Sequence, residues 1–375
     1  MNRSWTLLLV ALGLSVGMLG CGSNENANLG DWTLKTNALT LTEDLRVSET
    51  DAFYFGSIAG LDVTTDGRMV VLDEEATHVL KVLRPDGTLL DTLGRRGQGP
   101  GEFQDPATVE VARGDSVYVF DQDLNRLTVF APLPSATVAR SAVITSKKDH
   151  VVGVQVLDDR LAAELTPGYT RKEGLYRPSP NTWYTIEGTA ASGDSLLSTQ
   201  RQRVATSFDG PGAMIGNLPF GRTTLVTDGP EGRLYHGFTD SLRVRATSLD
   251  GTTEAVASVP AAPVPVTEAE RDSTLTDFPS TLRRLIAPGL PETKPAFTDL
   301  IVAPTGRLWV RRPTEGREPE AVSWWVLSPD TKTIHEIQLP VDVDLEVVRN
   351  GKAYGTATTE RGAPALVRYR FTENT

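Results

Sequence analysis

Apolar and polar residues alternate with a period of two over short runs, the signature of half-buried β-strands, and the runs repeat. Gly60 Leu61 Asp62 Val63 leads through the turn Thr65 Asp66 Gly67 into Met69 Val70 Val71 Leu72 Asp73, and a further strand over Val79 to Leu83 ends at Pro85 Asp86 Gly87. A shift of 48 residues reproduces the pattern as Thr108 to Val111, the turn Gly114 Asp115, Val117 to Asp121, Leu127 to Phe130 and Pro132. Fainter copies share the turn-then-strand landmark at Asp158 Asp159 Arg160, Glu231 Gly232 Arg233, Thr305 Gly306 Arg307 and Asn350 Gly351 Lys352. Gly, Asp and Asn supply the positive φ that tight hairpins demand.

Counting from Gly67, the landmarks number six, and their period fits a four-stranded unit. The spacings of 73 residues from Asp159 to Gly232 and 74 from Gly232 to Gly306 exceed one repeat and fall short of two, so insertions are expected there. Short sheets cannot bury both faces alone; stacked radially they bury one another and leave only short edges. The expected fold is therefore an all-β, six-bladed β-propeller over residues 31–375, with two β-sandwich domains as the alternative. A strand from Trp32 to Val47 is expected to close the last sheet beside Leu366 to Phe371. One insertion, over about 267–289, reads as helical: Thr267 and Glu270 form a capping box, and Leu282, Leu285 and Ile286 define a second short helix ending at Pro288 Gly289.

The amino terminus gives an address. Arg3, an apolar run from Leu7 to Leu19 and small residues at its end form a secretory signal over residues 1–20, too short to span a bilayer permanently. Met18 Leu19 Gly20 Cys21 resembles a bacterial lipobox, and the chain's single cysteine stands where a thioether-linked lipid would be attached. Several acyl chains, buried at about 0.8 kcal/mol per CH₂, anchor stably where one would not. Residues 21–30 then read as a flexible tether, and Gly22 in place of Asp favours the outer membrane. Loss of the signal removes Arg3 and no acid, moving the net charge from −11 to −12, and lipidation of Cys21 leaves no thiol for a disulfide. With 23% charged residues, an acidic balance and no basic patch, nucleic-acid binding is excluded as a partner class. The expected contacts are the membrane through Cys21, envelope proteins or a small ligand.

Leu93 Gly94 Arg95 Arg96 Gly97 Gln98 Gly99 Pro100 Gly101 Glu102 Phe103, with Pro106, Asp121, Asn125, Arg126 and Phe130 following, is similar to the signature of NHL-type six-bladed β-propellers, in particular their bacterial lipoprotein branch. The resemblance implies the fold and a cell-envelope location. It implies no reaction. On their own terms the glycines permit a sharp crossing between sheets, Phe103 plugs the seam, and Asp121 accepts amide hydrogen bonds across the turn to Asn125.

Catalytic patterns are sparse. Gly56 Ser57 Ile58 Ala59 Gly60 misplaces its serine for a nucleophile elbow, and no phosphate-cradling loop occurs. His78, His150, His236 and His335 lack metal-ligand spacing, and Asp121, Asp123 and Asn125 begin a calcium loop that fails at Arg126 and Pro132. One constellation remains: alignment by turns places Asp62, Glu110 and Glu346 on innermost strands, where an acidic collar would hold calcium or another divalent cation, or pair with Arg222 and Arg311. Arg96, Phe103 and Arg222 are the candidate rim contacts. No other cofactor is called for. These residues point to a tethered ligand- or protein-binding propeller without chemistry of its own; a metal-dependent lyase or hydrolase at the channel mouth is the alternative.

Overall fold

The computed structural model describes residues 30–36, 38–133, 135–147, 149–168, 171–208, 212–316 and 319–373. The signal segment, Cys21 and the tether up to residue 29 lie outside the described residues. β-strands dominate the described chain, and each sequence landmark is the hairpin turn joining the first two strands of a sheet.

Sheet I comprises Ile58–Val63, Met69–Asp73, Leu80–Leu83 and Leu89–Leu93, and sheet II Pro106–Val111, Val117–Asp121, Arg126–Phe130 and Val138–Val143. Sheet III comprises His150–Leu157, Arg160–Thr166, Asn181–Glu187 and Ala190–Thr199, and sheet IV Thr224–Gly229, Arg233–Phe238, Leu242–Thr247 and Thr253–Val259. Sheet V holds Asp299–Val302, Leu308–Arg311, Ala321–Ser328 and Thr333–Pro340; sheet VI holds Val343–Arg349, Lys352–Thr358, Pro364–Glu373 and, from the other terminus, Leu39–Val47. Neighbouring strands within these units are antiparallel, with a parallel fifth strand added at the outer edges of sheets III and V. The first strand of each sheet contacts the first strand of the next, and that of sheet VI contacts that of sheet I. The ring is closed and propeller-like.

The sheet faces are hidden against each other. Val70, Leu72, Val82, Val109, Val119 and Phe130 fill the seam between sheets I and II, while Trp309, Trp324, Val343 and Leu345 fill that between V and VI. Fully burying each such side chain contributes about 1.5–3 kcal/mol. The glycine-rich crossing packs as its sequence suggests. Phe103 is fully buried 6.3 Å from Phe130, and a Cβ on Gly94 would stand 2.5 Å from the Phe103 ring. Asp121 accepts from the Leu124 amide across the turn and also from the amides of Gln104 and Asp105, which lead into the first strand of its own sheet. Asp73 does the same in sheet I, accepting from Gly56 and Ser57.

The amino-terminal segment departs from the single closing strand expected over Trp32 to Val47. Trp32 donates its indole N–H to Ser258 of sheet IV, Thr33–Thr36 runs parallel to Thr333–Glu336 of sheet V, and only Leu39–Val47 completes sheet VI. The segment therefore straps three sheets together.

Both long spacings contain insertions, and they meet. The first supplies a three-stranded sheet of Gly174–Tyr176, Val204–Ser207 and Met214–Asn217; the second supplies helices α1 (Glu268–Thr276) and α2 (Ser280–Ile286). Ala205, Leu218, Leu282, Ile286 and Leu290 form their shared core. The capping box is present, with Thr267 and Glu270 exchanging hydrogen bonds at the start of α1.

Candidate functional site

A cavity of about 550 Å³ opens at the end of the ring that carries the first hairpin turns, a size suited to a small organic molecule. Its walls are the first strands of all six sheets. Asp62 of sheet I, Glu110 of II, Gln155 of III, Asp228 of IV, and Glu346 and Arg349 of VI line it. Sheet V contributes only Ile301, Val302 and Pro304.

Two of the acids act as ties between sheets. Asp62 Oδ2 accepts from the Val111 amide of sheet II at 2.6 Å, and Glu110 Oε2 accepts from the Val156 amide of sheet III at 2.5 Å. Gln155 holds the corresponding place in sheet III, yet its Oε1 is buried with no hydrogen-bond partner among the described residues. Arg349 donates to the carbonyls of Val63 and Val111 and stands 3.3 Å from Asp62. One guanidinium thus joins sheets I, II and VI.

The mouth is tied in the same way. Asp115 accepts from the Thr65 amide and hydroxyl, and Asn350 donates to the carbonyls of Thr64 and Thr65. Asp115, Asp158 and Asn350 all adopt positive φ in these turns, a conformation that Asp and Asn tolerate better than other side chains.

Burial and mutual repulsion keep protons on this cavity. Burial pushes Glu110 well above the usual carboxylate range, and the neighbouring Asp228 charge adds to it. Asp228 is pushed up to about 6 by burial and then by Asp62. Glu346 is pushed up to about 7 by desolvation and then by Asp344 and Asp299. Its surface is nevertheless exposed. Asp62 is raised by burial, with Arg349 and two backbone amides pulling against it. At neutral pH the cavity therefore offers carboxylic acid groups as donors beside carboxylates as acceptors.

Several sequence expectations need correction. Glu346 lines the cavity but sits at a β-bulge between Leu345 and Val347, out of register with Asp62 and Glu110. Among the described residues no three acidic, histidine or cysteine side chains converge closely enough to hold a metal ion, because Asp62 and Glu110 are drawn outward to separate amides. The arginine that meets the collar is Arg349 rather than the expected Arg222 or Arg311. Arg311 pairs with Asp299 and Asp344 on the wall of a second cavity of about 470 Å³, which shares Glu346. Arg222 spends its donors on carbonyl and hydroxyl oxygens of Phe220, Thr293 and Lys294 and is a clamp between loops. Phe103 is interior and unavailable to a ligand. Arg96 is exposed and donates to the Gln104 carbonyl; neither it nor Arg222 lines the cavity. Sequence reasoning missed Asp228, although it stands as far before Gly232 as Glu110 stands before Gly114.

The sequence matches no protein-family model and no curated protein. Solved structures share the architecture. An exported protein of Bacteroides fragilis aligns over 91% of this chain and 100% of its own, with 10% identity and a TM-score of 0.55. Virginiamycin B lyase of Staphylococcus aureus, solved with quinupristin, aligns over 88% of this chain and 99% of its own, with 8% identity and a TM-score of 0.42. At 10% identity the likeness to the Bacteroides protein establishes a shared fold and carries no argument about chemistry.

Proposed function

We propose that this chain is a lipid-tethered, six-bladed propeller of the cell envelope, similar to NHL-type lipoproteins, that binds a small polar ligand in its central cavity. Each of sheets I to VI is one blade. The observation that carries the binding role is the cavity itself: four carboxyl groups from four blades, three of them with strongly raised proton affinity, around a space with few cations to answer them. A ligand bearing an amine and several hydroxyl groups would satisfy the carboxylates and the unpartnered Gln155 oxygen together. The exported neighbour and the lipobox support the envelope location.

Native mass spectrometry of the purified full chain should reveal a retained small molecule. Titration with spermidine and glucosamine, against glucose as the uncharged control, should show amine binding that strengthens from pH 5 to pH 8 as the carboxyls ionise. Glu110→Gln should weaken it about tenfold, in line with loss of one charge-assisted hydrogen bond. Absence of both a retained molecule and any amine preference overturns the reading. Separately, Cys21→Ser should release the protein from membranes; persistence there rules out the lipid tether.

A further inference from the structure

Arg177 and Arg203 form a like-charge pair in the insertion module, and neither makes an ion pair among the described residues. In the three-stranded sheet Gly174, Leu175 and Tyr176 pair antiparallel with Thr206, Ala205 and Val204, so Arg177 and Arg203 flank the last pair, close enough for their charges to repel. Like charges directly opposite one another disfavour pairing. Arg177 is fixed in place: its Nη1 donates to the carbonyls of Arg201 and Arg222, and its guanidinium lies 5.3 Å from the centre of the Phe238 ring. Desolvation, and then the Arg203 charge, disfavour its protonated form. Arg203 is half-buried, and its backbone carbonyl accepts from Leu218. Among the described residues its guanidinium has no ion pair or hydrogen bond, and its Nη1 lies close to Gly289 in the turn after α2.

We propose that Arg177 and Arg203 together form a site for a small oxyanion of the phosphate or sulfate class, at the edge of the insertion module and separate from the central cavity. Two guanidinium forks with free N–H groups present the geometry that such an anion accepts. An anion seated between them converts a repulsive cross-strand pair into a bridge, tying the module's first strand to its second.

The test uses the full chain and Arg203→Gln, with Arg284→Gln on the exposed face of α2 as control. Thermal unfolding is followed in sodium phosphate and in sodium chloride of equal ionic strength. Phosphate should raise the melting temperature of the wild type and of Arg284→Gln. Arg203→Gln should match or exceed the wild type in chloride and lose the phosphate increment, with phosphate affinity down about tenfold or more. Flotation with phosphatidylglycerol or phosphatidylcholine vesicles separates the sources of the group. A phosphatidylglycerol preference that Arg203→Gln removes assigns a lipid headgroup, and a phosphate increment without that preference assigns a free anion. If neither effect depends on Arg203, the site does not exist.

Discussion

At the scale of single residues, Arg349 matters most to the ring, because its one side chain reaches from its own first strand to two others and stands beside the buried Asp62 carboxylate. Replacing it with Leu leaves Asp62 facing only two backbone amides, and removing one partner of a buried pair commonly costs about 3–5 kcal/mol. The loss should be full at pH 8 and smaller at pH 5. Asp62 already has a raised proton affinity, and without the arginine it can take up a proton and shed its charge. Urea unfolding of Arg349→Leu, Asp62→Asn and the double variant measures this: the double variant should be less destabilised than the sum of the two. Equal losses at both pH values, with strict additivity, would show that the pair is not coupled. The residues of the cavity were partly legible in advance. Asp62 and Glu110 stand out because an acid interrupts an apolar strand at a fixed distance from a turn. Gln155 carries no charge to draw notice, and the bulge that displaces Glu346 depends on how its strand pairs, which turn counting does not reveal.

At the scale of elements, the helical insertion shows where local sequence stops being informative. Thr267 and Glu270 announce the start of α1, and the structure adds what the spacing could not: Glu270 is buried, and its second oxygen meets the Lys294 ammonium, which also donates to the Thr314 carbonyl. Burial pushes Glu270 up, yet Lys294 and the Thr267 donors outweigh it and hold the carboxyl below its usual range. A group lowered in this way stabilises above its unfolded value and ceases to do so as acid protonates it. Thr267→Ala should cost about 1 kcal/mol as the loss of a cap. Lys294→Met should cost more, since it strands the Glu270 charge. Hydrogen exchange locates the effect: amides of α1 and α2 should exchange faster in Lys294→Met while those of Ile58–Val63 stay protected. Uniform acceleration across the ring would mean that the insertion is not a separate cooperative unit. The meeting of two insertions far apart in sequence was not foreseeable, because each spacing signals extra chain without saying what it packs against.

At the scale of the whole molecule, stability rests on closing the circle, and two terms govern it. The first is electrostatic. Asp228 rises from 3.8 to about 6 and Glu346 from 4.5 to about 7, so across that window the unfolded chain releases protons that the folded ring retains. Stability from these groups is therefore full only below the unfolded values, is already falling in mild acid, and levels off once pH has passed the raised values. Asp228→Asn should flatten the fall between pH 4 and 6 and stabilise the protein at pH 8 by about 1–3 kcal/mol, as read from denaturant midpoints; an unchanged profile would show that Asp228 is not strained in the fold. The second term is the seam itself. Repetition and the need to cap the last sheet made the meeting of the termini legible, whereas the detour of Thr33–Thr36 onto sheet V was not. Leu39–Val47 pairs along nearly the whole of Pro364–Glu373, with Asp44 accepting from Arg368 at 2.7 Å and Glu43 from the Tyr369 hydroxyl. Without that strand, Pro364–Glu373 becomes an unpaired edge whose apolar residues Leu366 and Val367 lose a covering neighbour. A chain beginning at residue 48 should unfold at lower denaturant with reduced cooperativity and be cleaved by protease within its last strand. A synthetic peptide of residues 39–47 added in trans should restore protection, because strand pairing is satisfied equally well by a separate molecule. A truncated chain with the full-length midpoint would mean that the ring closes by packing of its inner strands alone.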